Sequence, residues 1–301
     1  MKALVTGGTG FVGPRLLRLL NKPTVLTRNP ERAAEKIGHL AGDVIGWNPM
    51  EGPPPPESFD GVDCVFHLAG ESVAEGRWTT AQKATIRDSR ILGTKNLVSG
   101  ILQNKTGIKT LVSSSAVGYY GDRGEEDLTE SSPPGNDFLA GVCIDWEREA
   151  DIAREQGVRV VTMRTGIVLG AGGGALAKML TPFRLGAGGP LGNGRQWMPW
   201  VHVADLARLY IHANETFSIN GPMNAVAPNP VRNSEFTKAL AAQLKRPAFM
   251  PAPYLGLRLV FGEFAKVLFA SQKVVPQAAL ETGFAYQFPF IKEALKDILS
   301  V

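Results

Sequence analysis

The sequence predicts an α/β fold: a Rossmann-like, doubly wound parallel sheet with a smaller, mostly helical C-terminal lobe. Three observations carry this reading. Short apolar runs alternate with helix-length segments over the first part of the chain, the signature of parallel strands joined by helices on both faces. The first apolar run ends in T-G-G-T-G-F-V-G, Thr6 to Gly13, directly before a helical pattern. Beyond Gly170 the alternation gives way to glycine-rich loops and helical stretches.

Taken in order, Lys2–Thr6 is the first strand, and Val12, Leu16, Leu17 and Leu20 mark the inner face of the first helix. Thr24–Thr27 is the second strand, Pro30–Ile37 a helix stopped by Gly38, and Val44–Trp47 the third strand. The four prolines between Glu51 and Ser58 stiffen a surface loop. Val62–Leu68 is the fourth strand, followed by helical stretches at Thr80–Arg90 and Leu92–Lys105. Then come strand Thr110–Ser114, helix Phe138–Gln156 and strand Val158–Thr165. Further on, Ala175–Arg184 reads as a short helix, Val201–His212 as a strand entering a helix and Met223–Ala227 as a strand. Ser234–Leu244 reads as a helix capped by Ser234. From Pro251 onward, Leu255, Leu259 and Phe264 suggest amphipathic helices.

Composition narrows the function classes. Of 301 residues 44% are hydrophobic and 20% charged, which excludes a disordered chain. The net charge of +4 comes from scattered residues without a basic block, so no nucleic-acid partner is expected. Cys64 and Cys143 lie far apart in apolar surroundings and read as buried thiols of a reducing compartment. The four histidines lack ligand spacing, so no metal is expected. The chain shows no secretory signal, and the apolar stretch Pro251–Ala270 is broken by Arg258, Glu263 and Lys266. A cytoplasmic protein with no membrane partner is expected.

The glycine turn carries the clearest chemistry. In Gly7-x-x-Gly10-x-x-Gly13, the first glycine permits the tight turn. The second lets backbone approach a pyrophosphate, and the third lets helix pack on strand. Between a strand and a helix this pattern points to dinucleotide binding. Arg28 closes the second strand, where an NAD-selective site would carry a carboxylate for the ribose hydroxyls. An arginine there suits the 2′-phosphate of NADP.

With T-G-G-T-G-F-V-G, H-L-A-G (His67–Gly70) and S-S-S-A (Ser113–Ala116), the sequence resembles the extended short-chain dehydrogenase/reductase superfamily. Further segments narrow the resemblance: R-W-T-T-A-Q-K (Arg77–Lys83), Ser89-Arg90, D-F-L-A (Asp137–Ala140), C-I-D-W-E (Cys143–Glu147), R-T-G-I-V-L-G (Arg164–Gly170), G-G-P-L-G-N-G (Gly188–Gly194) and W-V-H-V-A-D-L (Trp200–Leu206). These are similar to an atypical branch of nucleoside-diphosphate-sugar epimerase-like proteins. Members of that branch carry a C-terminal domain of unknown function, matched by N-A-V-A-P-N-P (Asn224–Pro230) and G-E-F-A (Gly262–Ala265). The resemblance implies an NADP-binding domain over residues 1–170, its sheet completed by 200–228, and a substrate lobe from 171–199 and 229–301. It implies that Gly7, Thr9, Gly10, Phe11, Val12, Arg28, Leu68, Ala69 and Gly70 hold the dinucleotide, with Thr165, Gly166 and Ile167 near the nicotinamide. It also implies a homodimer through helices Thr80–Lys105 and Phe138–Gln156.

Superfamily catalysis uses a serine after the fifth strand and a Tyr-x-x-x-Lys pair on the next helix. Ser115 matches the serine. Counting back from Glu147, Leu139 stands at the tyrosine and Cys143 at the lysine, and neither can do that chemistry. Tyr119 and Tyr120 follow Ser115 closely; one reading has Tyr120 reaching the site, the other packs it in the turn. Glu71 is the carboxylate nearest the H-L-A-G loop. Arg195, Trp197, Trp200 and His202 form a second polar and aromatic group expected to close over the strand ends and contact substrate. The expectation is an NADP-dependent oxidoreductase or epimerase-like enzyme acting on a small molecule, with a nucleotide sugar as the implied class. The alternative is a non-catalytic NADP-binding sensor or scaffold.

Overall fold

Neighbouring residues of a strand point to opposite faces, and here both directions are apolar. In β1 (Ala3–Thr6), β2 (Thr24–Thr27) and β4 (Cys64–His67), Val5, Val25 and Phe66 face one layer of helices. Leu4, Leu26 and Val65 face the other. β5 (Thr110–Ala116) and β7 (Arg159–Thr165) repeat the division with Val112 and Val161 against Leu111 and Val160. Such strands are stable only when covered on both sides.

The computed structural model describes residues 1–104 and 107–300. The strands above, with β3 (Val44–Gly46) and β11 (Gly221–Ala225), form one seven-stranded sheet in the order β3-β2-β1-β4-β5-β7-β11. Every pairing in it is parallel. α1 (Gly13–Leu17), α2 (Pro30–Ile37) and α6 (Val203–Glu215) cover one face, with Leu16, Leu17, Ile37, Leu206 and Leu209 in its core. α3 (Thr80–Gln103) and α4 (Phe138–Asp151) cover the other through Leu97, Val98, Ile101 and Ala150. The sheet is wound outward from β1 in both directions, so β1 and β4 flank its topological switch point.

α3 is one helix where the sequence suggests two. Its predicted end at Lys105 lies outside the described residues. Thr79 caps it, accepting a hydrogen bond from the Gln82 N–H at 3.1 Å. Asp137 caps α4 in the same way, from Ala140 at 2.9 Å.

The remaining elements are smaller. β6 (Asp127–Leu128), β8 (Ile167–Leu169), β9 (Trp197–Met198), β10 (Trp200–His202), β12 (Val231–Arg232) and β13 (Lys273–Val274) form three two-stranded pairs, β10 with β8, β12 with β9 and β13 with β6. Thus residues 221–225 extend the main sheet, while 200–202 pair outside it. α5 (Gly174–Arg184), α7 (Asn233–Leu244), α8 (Tyr254–Phe261), α9 (Phe264–Phe269), α10 (Gln277–Glu281) and α11 (Ile291–Leu299) complete the chain. A further core joins α5, α7 and α11 through Leu176, Phe236, Leu240, Leu295 and Ile298.

Two local expectations are corrected. The cap of α7 is Arg232, not Ser234. The Glu235 carboxylate reaches back to accept from the Arg232 N–H at 2.9 Å, which fixes the cap two residues earlier. The Leu255–Leu259 spacing on α8 does not face a core: both side chains are exposed, and only Phe264 on α9 is buried. No helix among the described residues is long and apolar enough to cross a membrane.

Candidate functional site

The carboxyl ends of β1, β2, β3 and β4 open into a cleft of about 240 Å³, lined by Gly7, Gly10, Arg28, Trp47, Gly70 and Glu71 among others. Its floor is the glycine turn, whose three glycines answer to different constraints. Gly7 has φ +70°, and a Cβ there would lie 2.7 Å from the Leu68 carbonyl carbon. A Cβ on Gly13 would lie 2.2 Å from the Gly8 oxygen. At Gly10 the only contact is the Gly7 oxygen at 3.2 Å, so packing does not demand glycine there. Its open side faces the cleft, the property needed where backbone must approach a ligand. These glycines make a cradle that fits a dinucleotide phosphate.

The neighbouring predicted residues surround this turn. Thr9 lines the cleft and its carbonyl accepts from Lys36 Nζ at 2.7 Å. Arg28 stands exposed at the rim, free to meet a phosphate. Phe11 does not line the cleft and packs under the loop before α5; a Cβ on Gly173 would lie 2.6 Å from its ring. Arg15 ties that contact by donating to the Phe11 and Ala171 carbonyls at 2.9 and 3.0 Å. Val12 packs at the edge of the sheet core. Thr165, Gly166 and Ile167 join β7 to β8, where Ile167 donates to the Pro199 carbonyl at 2.7 Å and a Cβ on Gly166 would lie 2.5 Å from that oxygen.

The Leu68–Gly70 loop is fixed by a buried polar chain that the sequence did not reveal. The Ala69 N–H donates to Thr6 Oγ1 at 3.2 Å. Thr6 Oγ1 lies 2.7 Å from His67 Nδ1, and His67 Nε2 lies 2.9 Å from Thr94 Oγ1. Complete burial pulls the His67 pKa down to about 4, so the ring is neutral at pH 7 and bridges two hydroxyls. Below it, the Glu71 N–H donates to Ser89 Oγ at 3.1 Å, placing Glu71 at the cleft.

At the end of β5 the picture changes. Ser115 Oγ donates to Glu147 Oε1 at 2.6 Å, and Arg164 donates to both oxygens of that carboxylate at 2.9 Å. Leu139 and Cys143 face Gly118 one turn apart on α4. Burial pushes the Cys143 thiol up to about 12, so it is neutral. Tyr120 does not reach an open site. Its ring is fully buried, and its hydroxyl sits between the Thr129 carbonyl at 3.0 Å and Asn224 Oδ1 at 2.7 Å while accepting from Arg164 at 3.1 Å. Burial raises its pKa to about 12, which disfavours a phenolate. Tyr119 lies flat beneath the Arg164 guanidinium, 3.4 Å from ring centre to Cζ.

The second predicted group does not line the cleft either. Trp200 is 1% exposed and donates to the Asn229 carbonyl at 3.2 Å. His202 caps α6, its Nδ1 accepting from the Ala204 N–H at 3.2 Å, and its ring packs on Phe288 at 3.9 Å. Trp197 donates to Glu125 at 2.9 Å and stacks with Arg232 at 4.4 Å. Arg195 is exposed on the preceding turn. Alternation in β10 sends Trp200 and His202 to one side, into the C-terminal core. Asp205 completes the fastening by accepting from the Gln287 and Phe288 N–H groups at 2.9 and 2.8 Å.

One residue beside the cleft has no role that the sequence motifs assign. Arg90, on the inward side of α3, lies against Gly70 and over the Trp146 ring at 5.1 Å.

A parallel doubly wound sheet with a glycine cradle at its switch point defines a protein of the dinucleotide-binding α/β class. The chain belongs to the NAD dependent epimerase/dehydratase family, whose model matches residues 3–225. Residues 252–298 match a domain of unknown function, DUF1731. The Arabidopsis thaliana protein named chloroplastic epimerase family protein SDR39U1 homolog is 39% identical over 305 residues, covering 99% of this chain and 87% of that one. The Mus musculus epimerase family protein SDR39U1 is 38% identical, covering 100% of both chains. A crystal structure of the human epimerase family protein SDR39U1 with NADPH superposes with a TM-score of 0.88 at 36% identity. It covers 100% of this chain and 99% of that one.

Proposed function

We propose that the cleft binds NADP(H) and that the chain is an NADP-dependent oxidoreductase or epimerase-like enzyme acting on a small molecule. The observation that carries the cofactor reading is Arg28, exposed at the rim of the cleft whose floor is the open side of Gly10. A guanidinium there can meet a 2′-phosphate with two parallel charge-assisted hydrogen bonds, whereas it offers less to a ribose diol. The human relative crystallised with NADPH supports the same choice. Gly7, Thr9, Leu68, Ala69 and Gly70 would surround the phosphates and adenosine, and Thr165–Ile167 the far end. Bound NADPH supplies a hydride.

The chain's own residues then define what remains to be done. Ser115 is buried and donates its proton to Glu147, so it has no donor left for a substrate carbonyl. Leu139 exchanges no proton, and the Cys143 thiol stays neutral.

Calorimetric titration with NADPH and NADH tests the cofactor reading. Wild type should prefer NADPH by roughly ten- to a hundredfold, the equivalent of about 1.5–3 kcal/mol, and Arg28→Asp should abolish that preference. Equal affinity of wild type for both would overturn it. A second reading, a non-catalytic NADP(H) sensor, is favoured by Leu139 and Cys143 at the tyrosine and lysine positions. Screening aldehydes, quinones and nucleotide sugars for NADPH oxidation separates the two.

A further inference from the structure

We propose that Arg90 is the anion-receiving residue of the substrate site, so that the substrate presents a carboxylate or phosphoryl group beside the bound nicotinamide cofactor. This rests on the reading that the cleft holds NADP(H).

The argument begins with the stripe of α3 that faces inward. Ile86, Thr94, Leu97 and Ile101 are all buried, and Arg90 occupies the slot one turn after Ile86. A guanidinium in an apolar stripe normally destabilises a fold unless it is paired. The other inward arginines are far better partnered, although Arg159 keeps an unpartnered Nε. Arg164 has both oxygens of Glu147, and Arg159 is enclosed by the carbonyls of Ala213, Asn214 and Ile219. Arg90 has one protein hydrogen bond, from Nη1 to the Ile86 carbonyl at 3.0 Å. Among the described residues no carboxylate oxygen lies within 4.0 Å of it. Its Nε and Nη2 have no protein partner and are not fully enclosed, so they remain reachable from outside.

The surroundings hold this cation in place. The Trp146 indole of α4 supports one side of the guanidinium. On another, Gly70 has no side chain, and a Cβ there would lie 3.6 Å from Cζ. Gly70 ties Arg90 to the mouth of the cleft, and Trp146, three residues after Cys143 on α4, ties it to the side of the missing lysine. Burial draws its pKa down, yet a guanidinium stays charged. The free Nε–Nη2 edge is a planar two-donor fork. That geometry matches a two-oxygen anion, and no neutral group of similar size satisfies it as fully.

Calorimetry on the NADP-saturated protein tests this with oxalate and inorganic phosphate as probes, in wild type, Arg90→Gln and Arg90→Lys. The expected result is that at least one probe binds wild type and binds Arg90→Gln about tenfold or more weakly. Arg90→Lys should recover part of that loss, and NADPH affinity should stay within about twofold in both variants. Preference for oxalate identifies a carboxylate, and preference for phosphate a phosphoryl group. Equal probe binding by wild type and Arg90→Gln overturns the proposal, as does binding of neither probe. A tenfold loss of NADPH affinity in both variants also overturns it, because Arg90 would then serve the dinucleotide. Failure of wild type to bind NADP(H) at all strikes instead at the cofactor reading.

Discussion

Ser115 Oγ donates to Glu147 Oε1 across 2.6 Å, and the same carboxylate is gripped on both oxygens by Arg164, whose side chain is 4% exposed. The serine that the superfamily turns toward substrate is here part of a buried ion pair joining β5, β7 and α4.

The strength of that arrangement can be divided by substitution. Ser115→Ala removes one charge-assisted hydrogen bond and should lower unfolding stability by about 1.5–3 kcal/mol. Glu147→Gln leaves a buried guanidinium without its counter-charge and should lower it by about 3–5 kcal/mol. Urea unfolding of the two variants measures both. A Glu147→Gln loss no larger than that of Ser115→Ala would show that Arg164 does not depend on Glu147.

Much of the fold was legible because its signals are local and periodic. Leu4 and Val5, Leu26 and Val25, Leu111 and Val112 alternate between two buried faces, so strands of the main sheet such as β1, β2 and β5 can be read directly. The glycine turn was legible for the same reason. What failed depends on tertiary context. Trp200 and His202 carry chemistry that suits a ligand, but whether a β10 side chain faces a cleft or a core is decided by the pairing with β8. Tyr120 follows Ser115 in sequence yet is turned toward Thr129 in the next loop and Asn224, which is remote along the chain. α3 reads from the sequence as two stretches, and in the folded chain Arg90 interrupts the inward stripe of Ile86, Thr94 and Leu97. The same interruption is the trace of a residue placed for something other than packing.

The glycines of the turn should separate by phenotype. Gly13→Ala drives a Cβ to 2.2 Å from the Gly8 oxygen, so the turn must shift; a loss of about 1–3 kcal/mol in unfolding stability is expected. Gly10→Ala meets only a 3.2 Å contact and should fold with nearly wild-type stability while binding NADPH more weakly. Thermal unfolding and NADPH titration distinguish the two effects. Wild-type NADPH affinity in Gly10→Ala would remove the cofactor role assigned to the open side of that residue.

His67 gives the fold an acid-sensitive point. Its pKa is about 4 in the folded chain, against an unfolded value of 6.5. Below pH 6.5 the unfolded chain takes up the proton first, so stability falls as pH drops from about 6.5 to 4 and is unaffected by this group above about 7.5. Complete passage through that window is worth about 3 kcal/mol. His67→Gln, which cannot titrate, should lose less stability between pH 7 and pH 4. Parallel denaturation series at those two pH values measure the difference. Identical pH dependence in both proteins would mean that His67 takes up its proton without unfolding.

A homodimer through α3 and α4 remains a proposal that the surface chemistry supports. These helices pack side by side on one face of the sheet, and each leaves a large apolar side chain outward, Leu92 at 40% exposure and Ile144 at 37%. Arg87 with Asp88, and Arg148 with Asp145, supply polar pairs on the same two helices. An apolar centre with charged surroundings suits a two-fold contact, in which the same helices of both copies meet. Light scattering at micromolar concentration should give twice the chain mass of 32.3 kDa. Leu92→Glu combined with Ile144→Glu should give the single-chain mass with NADPH binding intact, because neither residue lines the cleft. Wild type that scatters as a single 32.3 kDa species would refute the dimer. A double variant that stays dimeric would place the interface on another face.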